Sequence, residues 1–420
     1  MNMVQSSSRE TLRCALRHQG GPVPMDFGST AVTGMHCSNI ADLRNYYGLE
    51  RRPVKICEPY QMLGLIEEDL LNAIGVDTVG VFPGNSIFGF PNDNWKEWVA
   101  PWGQRLLVPG DFNTVNKGGN IYIFPAGDTA VPPSGHMPEG GFFFDAIIRQ
   151  QPVDEEQLKP EENLEDFGPI TETDLERFKT ETAKAAAGGR GVVATFGGTA
   201  FGDIALVPAP FLKHPKGIRD ISEWYMSTVM RQDYVHAIFA GQLEYALENL
   251  KKIHAAVGDN VDVVFLCGTD FGTQTGTFCS PEAYLKIWHP YYKKMNDWIH
   301  EHTVWKTFKH SCGAVEGFME LFIKSGFDII NPVQCSAKGM EAETLKRRYG
   351  SRLVFWGGGV DTQHILPFGA PEQVREQVLR RCEIFSRNGG FVFDAIHNIQ
   401  AQTPVQNIVT MINAVHEFNG

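Results

Sequence analysis

The side chains with the clearest chemistry are His310 and Cys312, two apart in the run Phe308-Lys-His-Ser-Cys-Gly313, and His397, far along the chain. A thiolate and imidazoles are ligands that Zn2+ accepts at about 2.0 to 2.3 Å, and three protein ligands with an open fourth position describe a catalytic zinc. His-x-Cys is by itself a weak signal, and Cys335 is the rival third ligand. Asp270 and Asp361 lie in the Gly-rich turns Gly268-Thr-Asp270-Phe-Gly-Thr-Gln274 and Gly357-Gly-Gly-Val-Asp361-Thr-Gln363. A carboxylate in such a turn either caps the following helix through backbone N–H groups or orients a substrate and manages its proton, and both roles stay open. Asp270, Asp361 and His397 form the candidate catalytic set, and Asp26, Gln274, Gln334, Gln363 and Gln400 are candidates for holding a polar substrate.

Competing chemistries fit less well. No G-x-S-x-G elbow supports a serine nucleophile, no Walker-type G-K-[ST] occurs, and no dinucleotide fingerprint follows a first strand. Cys312 as an activated thiolate ranks below metal binding. The run Gly357-Gly358-Gly359 offers backbone N–H groups to an anion as an alternative use of that turn.

These residues need elements that bring distant segments to one place. Apolar runs at 23–27, 76–82, 192–196, 261–266, 304–309, 327–331, 353–356 and 391–395 read as strands, and helix-like stretches at 281–299, 315–325, 342–349, 371–387 and 403–418 separate the later ones. Eight strands with long crossovers match an α/β (β/α)8 TIM barrel better than a doubly wound sheet. In such a barrel the loops after the strands converge at one mouth, where the polar residues above all fall. The gap from 83 to 190 is too long for one crossover, so a β-rich excursion with a helical return at 172–187 is expected, as a lid or a partner-docking region of one domain spanning 1–420. Trp95, Trp98 and Trp102, at spacings of three and four, fit a buried helix face better than a ligand clamp.

Composition bounds the partners. With 37 basic and 49 acidic residues the formal charge is −12, and no basic run offers a nucleic-acid footprint. No apolar stretch reaches the roughly 18 residues of a membrane span, and the start lacks the apolar core of an export signal, so a cytoplasmic location is expected. The eight cysteines are irregularly spaced and read as reduced thiols, with Cys267, Cys279, Cys335 and Cys382 as core filler.

Three segments carry a resemblance. Phe308-Lys-His-Ser-Cys-Gly313, the Gly357 to Gln363 turn, and His397-Asn-Ile-Gln-Ala-Gln-Thr-Pro-Val-Gln-Asn407 are similar to the uroporphyrinogen decarboxylase superfamily, which includes cobalamin-dependent methyltransferases. The Asp270 segment with Ser280-Pro281-Glu282 fits it too, and residues 9–24 resemble its amino-terminal helix. The resemblance implies a (β/α)8 barrel. True decarboxylases carry an arginine-rich segment after the first strand that holds substrate carboxylates, whereas here Asp26-Phe-Gly-Ser-Thr-Ala-Val-Thr-Gly-Met-His36 has no arginine, which disfavours porphyrinogen decarboxylation. The methyltransferase branch uses H-x-C followed by a later cysteine; His310 and Cys312 match, and the third position falls on His397.

The resemblance and the residues together imply a zinc-dependent methyltransferase that moves a methyl group between a small methylated substrate and a separate corrinoid protein. No D-x-H-x-x-G is present, so cobalamin is expected on that partner. The alternatives are a metal-independent decarboxylase or lyase acting on a small carboxylic acid, with His397 as general acid, and a non-catalytic partner within a corrinoid system. A homodimer is one open form of assembly.

Overall fold

The computed structural model describes residues 7–420. The amino-terminal stretch read above for an export signal, and the first residues of the 1–420 domain, fall partly outside them. Seven strands form one curled, all-parallel sheet in which each strand pairs with its neighbours in chain order: Thr78–Val81, Gly191–Ala194, Val263–Cys267, Lys306–His310, Ile329–Asn331, Val354–Trp356 and Phe391–Val392. This α/β arrangement is consistent with a TIM-like barrel.

Parallel strands covered on both faces read as unbroken apolar runs, which is why these segments stand out in the sequence. The alternation of a strand sends Val193, Val263, Phe308, Ile329, Val354, Trp356 and Val392 to one face, where they pack with Leu12, Ala15 and Leu16 of the helix Ser8–Leu16. The opposite face, with Val192, Val264, Leu266, Ile330 and Phe355, packs into the larger core beneath the helices. Leu12 sits so close to Gly191 that a Cβ there would lie 2.1 Å from Leu12 Cδ2. The first helix therefore seals the end of the sheet where the strands begin and leaves their carboxyl ends for chemistry.

The expected first strand, 23–27, is reduced to a single parallel bridge between Met25 and Phe393. Residues 24–26 nevertheless bond to both sheet edges: Asp26 N donates to Phe393 O at 2.9 Å, Phe393 N to Pro24 O at 2.8 Å, and Asp77 N to Met25 O at 2.8 Å. The helix expected over 281–299 is two, Pro281–Ile287 and His289–His302, broken at Trp288 ahead of Pro290.

Between Val81 and Gly191 lie strands belonging to two four-stranded sheets, followed by the helix Glu172–Ala187. One is an antiparallel meander of Thr114–Lys117, Asn120–Ile123, Gly135–Met137 and Asp145–Ala146. The other joins Lys96–Val99 and Arg105–Val108 to Val54–Glu58 and Leu63–Gly64, so this sheet also recruits chain that precedes the strand Thr78–Val81. The tryptophans correct an expectation: Trp98 lies in the strand Lys96–Val99 and Trp102 in the hairpin turn after it, because Gly103 (φ 82°) lets the chain reverse there. Among the described residues, no helix is long and apolar enough to cross a membrane.

Candidate functional site

His310 is the last residue of the strand Lys306–His310, and Cys312 follows where the extended backbone breaks. His397 arrives on the chain leaving Phe391–Val392. One ligand atom from each of His310, Cys312 and His397 lies within 4.8 Å of the others, with Cys312 Sγ 3.3 Å from His310 Nε2. Two ligands of a tetrahedral zinc with Zn–S and Zn–N distances of about 2.3 and 2.0 Å sit about 3.5 Å apart, close to that spacing. Cys335 lies outside the group.

Loop contact makes the turn. A Cβ on Gly313 would stand 2.4 Å from the Gly272 carbonyl carbon, and one on Gly272 would stand 2.7 Å from Cys312 O, so two glycines let the Asp270 loop lie directly on the Cys312 turn. There Asp270 Oδ1 accepts the Cys312 N–H at 2.6 Å and stands 3.9 Å from His310 Nε2.

Neighbours fix the protons. Asn331 Nδ2 donates to Trp356 O at 3.0 Å, which turns its Oδ1 towards His310 Nδ1 at 2.6 Å. The His310 proton is thereby held on Nδ1, and Nε2 faces Cys312 with a free lone pair. Burial lowers His310 to about 4, and burial with the neighbouring His310 lowers His397 to about 4, so both rings are neutral. Burial pushes the Cys312 thiol well up and Asp270 pushes the same way; burial also raises Asp270, against the Cys312 N–H. A divalent cation among these atoms is the charge that would bring the thiol down, and two neutral rings with a thiol are a donor set suited to zinc. His397 fits less freely: its Nδ1 accepts the Asn398 N–H at 2.8 Å, a bond that coordination at either nitrogen would disturb.

The remaining candidates lie elsewhere. Asp26 is wholly buried, and its oxygens take Ser29 N (3.2 Å), Ser29 Oγ (2.7 Å), Thr78 Oγ1 (2.6 Å) and Trp356 Nε1 (2.9 Å); the expectation that it holds substrate is corrected, because its lone pairs are used inside the protein. Gln334 accepts the Gly313 N–H at 2.8 Å and donates to Gln274, which donates to Ser336 O, so these two amides clamp loops to one another. Asp361 Oδ1 accepts the N–H groups of Gln363 and His364, the capping role. Gln363 and Gln400 are exposed. The Gly357 to Gly359 run is no anion cradle: Gly357 N donates to Val392 O and Gly359 N to Asp394 O.

Sequence reasoning missed Asn331, Lys309, Asp203 and Asp394. Lys309, a cation inside an apolar strand, was the one visible signal. It is wholly buried behind the group, bonded to Thr269 O (2.7 Å), His310 O (2.9 Å) and Cys267 Sγ (3.4 Å). Asp203 is raised to about 6 by burial, with Asp270 adding to it.

The fold and site define an α/β protein with a histidine–cysteine–histidine group at the ends of its parallel strands. Residues 209–418 match the family model described as Uroporphyrinogen decarboxylase (URO-D), and the chain belongs to that family. The uroporphyrinogen decarboxylase of Pseudoalteromonas translucida is 32% identical over 106 residues, and that of Psychromonas ingrahamii 29% over 106. Each match covers 24% of this chain and 29% of the relative, so the chain spans less than a third of the curated relatives it matches. A solved methyltransferase from Methanosarcina mazei shares the fold at TM-score 0.55 and 13% identity, over 99% of this chain and 100% of that one.

Proposed function

We propose that this chain is a zinc-dependent methyltransferase moving a methyl group between a small methylated substrate and a separate corrinoid protein that carries the cobalamin. The observation that carries this reading is the convergence of His310, Cys312 and His397 within 4.8 Å at the strand ends. The URO-D family and a fold shared with a protein described as a methyltransferase support it. A zinc ion held by these three residues would supply Lewis acidity to the heteroatom that gains or loses the methyl group.

The chain's own residues do the rest. Asn331 presents His310 Nε2 to the centre, and Asp270 holds the Cys312 turn through one oxygen and turns the other to the substrate's proton. In this reading the seven strands and residues 24–26 make a (β/α)8 barrel within one cytoplasmic domain, and the excursion over 83–190 is its lid or docking surface. Metal analysis of protein purified without chelator tests the proposal. Near one zinc per chain, lost in Cys312→Ala together with methyl transfer, is the expected result; metal-free protein with full turnover in Cys312→Ala would overturn it.

One observation favours a second reading, decarboxylation of a small carboxylic acid. The Asn398 N–H on His397 Nδ1 leaves the ring proton on Nε2, so the neutral ring would offer a substrate carboxylate a hydrogen bond rather than a metal a lone pair. That reading predicts turnover after exhaustive chelation.

A further inference from the structure

Beside the metal group stands a wall that no residue above explains. Asp203 lies in the loop after Gly191–Ala194, and its Oδ2 would stand 2.7 Å from a Cβ on Gly268, so the carboxylate rests against the end of the strand Val263–Cys267, two residues before Asp270. Asp203 Oδ1 accepts the Ala205 N–H at 3.0 Å. Tyr225, on the helix Ile221–Met230, stacks its ring on Phe278 with centroids 5.0 Å apart and planes at 22°. Its hydroxyl is out of solvent and has no hydrogen-bond partner among the described residues. Phe278 N donates to Phe271 O at 2.9 Å, which fixes the Tyr225–Phe278 pair to the loop that carries Asp270.

The wall therefore offers two carboxylates and an aromatic pair. The cation behind this loop is Lys309, and its side-chain nitrogen has three partners of its own, Thr269 O next to Asp270, His310 O and Cys267 Sγ, with the rings of Phe271 and Phe322 packed against it. It has no donor left for an anionic ligand. Carboxylates beside aromatic faces recognise a quaternary or protonated amine by charge and by cation–π contact.

We infer that the small substrate carries a cationic ammonium group, seated between Asp203, Asp270 and the Tyr225–Phe278 pair, while its reacting heteroatom faces His310, Cys312 and His397. This rests on the metal reading above and adds to it the charge of the substrate and two specificity residues, Asp203 and Tyr225. An anionic tail in the same place would meet two carboxylates against the single hydroxyl of Tyr225.

Three thiols of equal length test it: thiocholine, 2-mercaptoethanol and 3-mercaptopropionate, titrated into protein loaded with Co2+ in place of zinc, with the thiolate-to-cobalt charge-transfer band as readout. Thiocholine is expected to bind about tenfold more tightly than 2-mercaptoethanol, with 3-mercaptopropionate weakest. Asp203→Asn should bring the first two within about threefold, and Tyr225→Leu, which leaves Asp203 in place, should weaken thiocholine about fivefold. Equal affinities, or a preference unchanged in Asp203→Asn, overturn the inference and leave the metal reading standing. Absence of a thiolate-to-cobalt band both before addition, where Cys312 should already give one, and after addition of every thiol overturns the metal reading instead. Calorimetry with choline then decides the inference alone: binding lost in Asp203→Asn supports it, and no binding overturns it.

Discussion

At His310 a neutral neighbour sets the position of the proton. Asn331 can accept from Nδ1 only because its own amide hydrogen is committed to Trp356 O, so the orientation of one amide decides which imidazole nitrogen is free. Asn331→Leu keeps the bulk and removes the acceptor, and zinc affinity measured by competition with a chelating dye is expected to fall about 10- to 100-fold. An unchanged affinity would mean that the ring is held by packing alone. The same burial that keeps His310 neutral links metal-free stability to pH. The folded pKa of about 4 lies below the ordinary 6.5, so the unfolded chain takes up the proton first. The contribution of His310 is present above about 6.5 and is lost as pH falls towards 4, on the order of 3 kcal/mol over that window. Urea midpoints of metal-free protein at pH 7, 5.5 and 4.5 should fall, and His310→Gln should flatten that fall.

Among the elements, the loops over 268–274 and 311–314 act as one unit because glycine backbones touch: Ala314 N donates to Thr273 O at 2.8 Å, and Gly313 has φ 89°. Gly313→Ala brings a methyl into the Gly272 backbone at a φ that L residues rarely adopt, and is expected to cost more than about 1 kcal/mol and to reduce zinc content, since Cys312 and Asp270 would separate. Full zinc content with a lowered melting temperature would show that the turn yields without moving its ligand. The sequence exposed the elements that bury both faces. Runs such as Val263–Cys267 are apolar throughout and sit where the crossovers predict them. Val54–Glu58 was not legible, because one partner, Arg105–Val108, lies about 50 residues on and the other, Leu63–Gly64, is only two residues long, so no periodicity reveals either pairing. In the site, His310 and Cys312 were visible as ligand types at a strand end. Asn331 and Asp203 were not, because one is a neutral residue before a proline and the other lies in a loop with no spacing signal; only the fold brings them to the group.

Across the whole molecule, the place where the curled sheet meets itself is a polar joint. The strands Thr78–Val81 and Phe391–Val392 are sheet edges, and residues 24–26 lie between them with few backbone bonds. Asp26 reinforces the joint from inside by accepting from Thr78 on one side and Trp356 on the other, while Ser29 anchors its own loop. Beside it Asp394 is pushed well up by burial and by Asp26, and its Oδ2 has no partner among the described residues; burial raises Asp26 as well, against the four donors that favour its charged form. Asp26→Ala would leave the Trp356 and Thr78 donors unpaired in the interior, at about 1 to 3 kcal/mol for each. Even if Asp394 recovers part of that by ionising, a loss on the order of 3 kcal/mol is expected, with a single cooperative transition at a lower temperature, because the edge strand Thr78–Val81 and the strand Val354–Trp356 depend on the same carboxylate. In the zinc reading proposed above, metal content at 25 °C should stay near that of the parent, since the partners of Asp26 are Ser29, Thr78 and Trp356 and not His310, Cys312 or His397. A substrate ligand would behave in the opposite way, with the melting temperature kept and binding lost, so calorimetry and metal analysis on one variant separate a closing role from a recognition role.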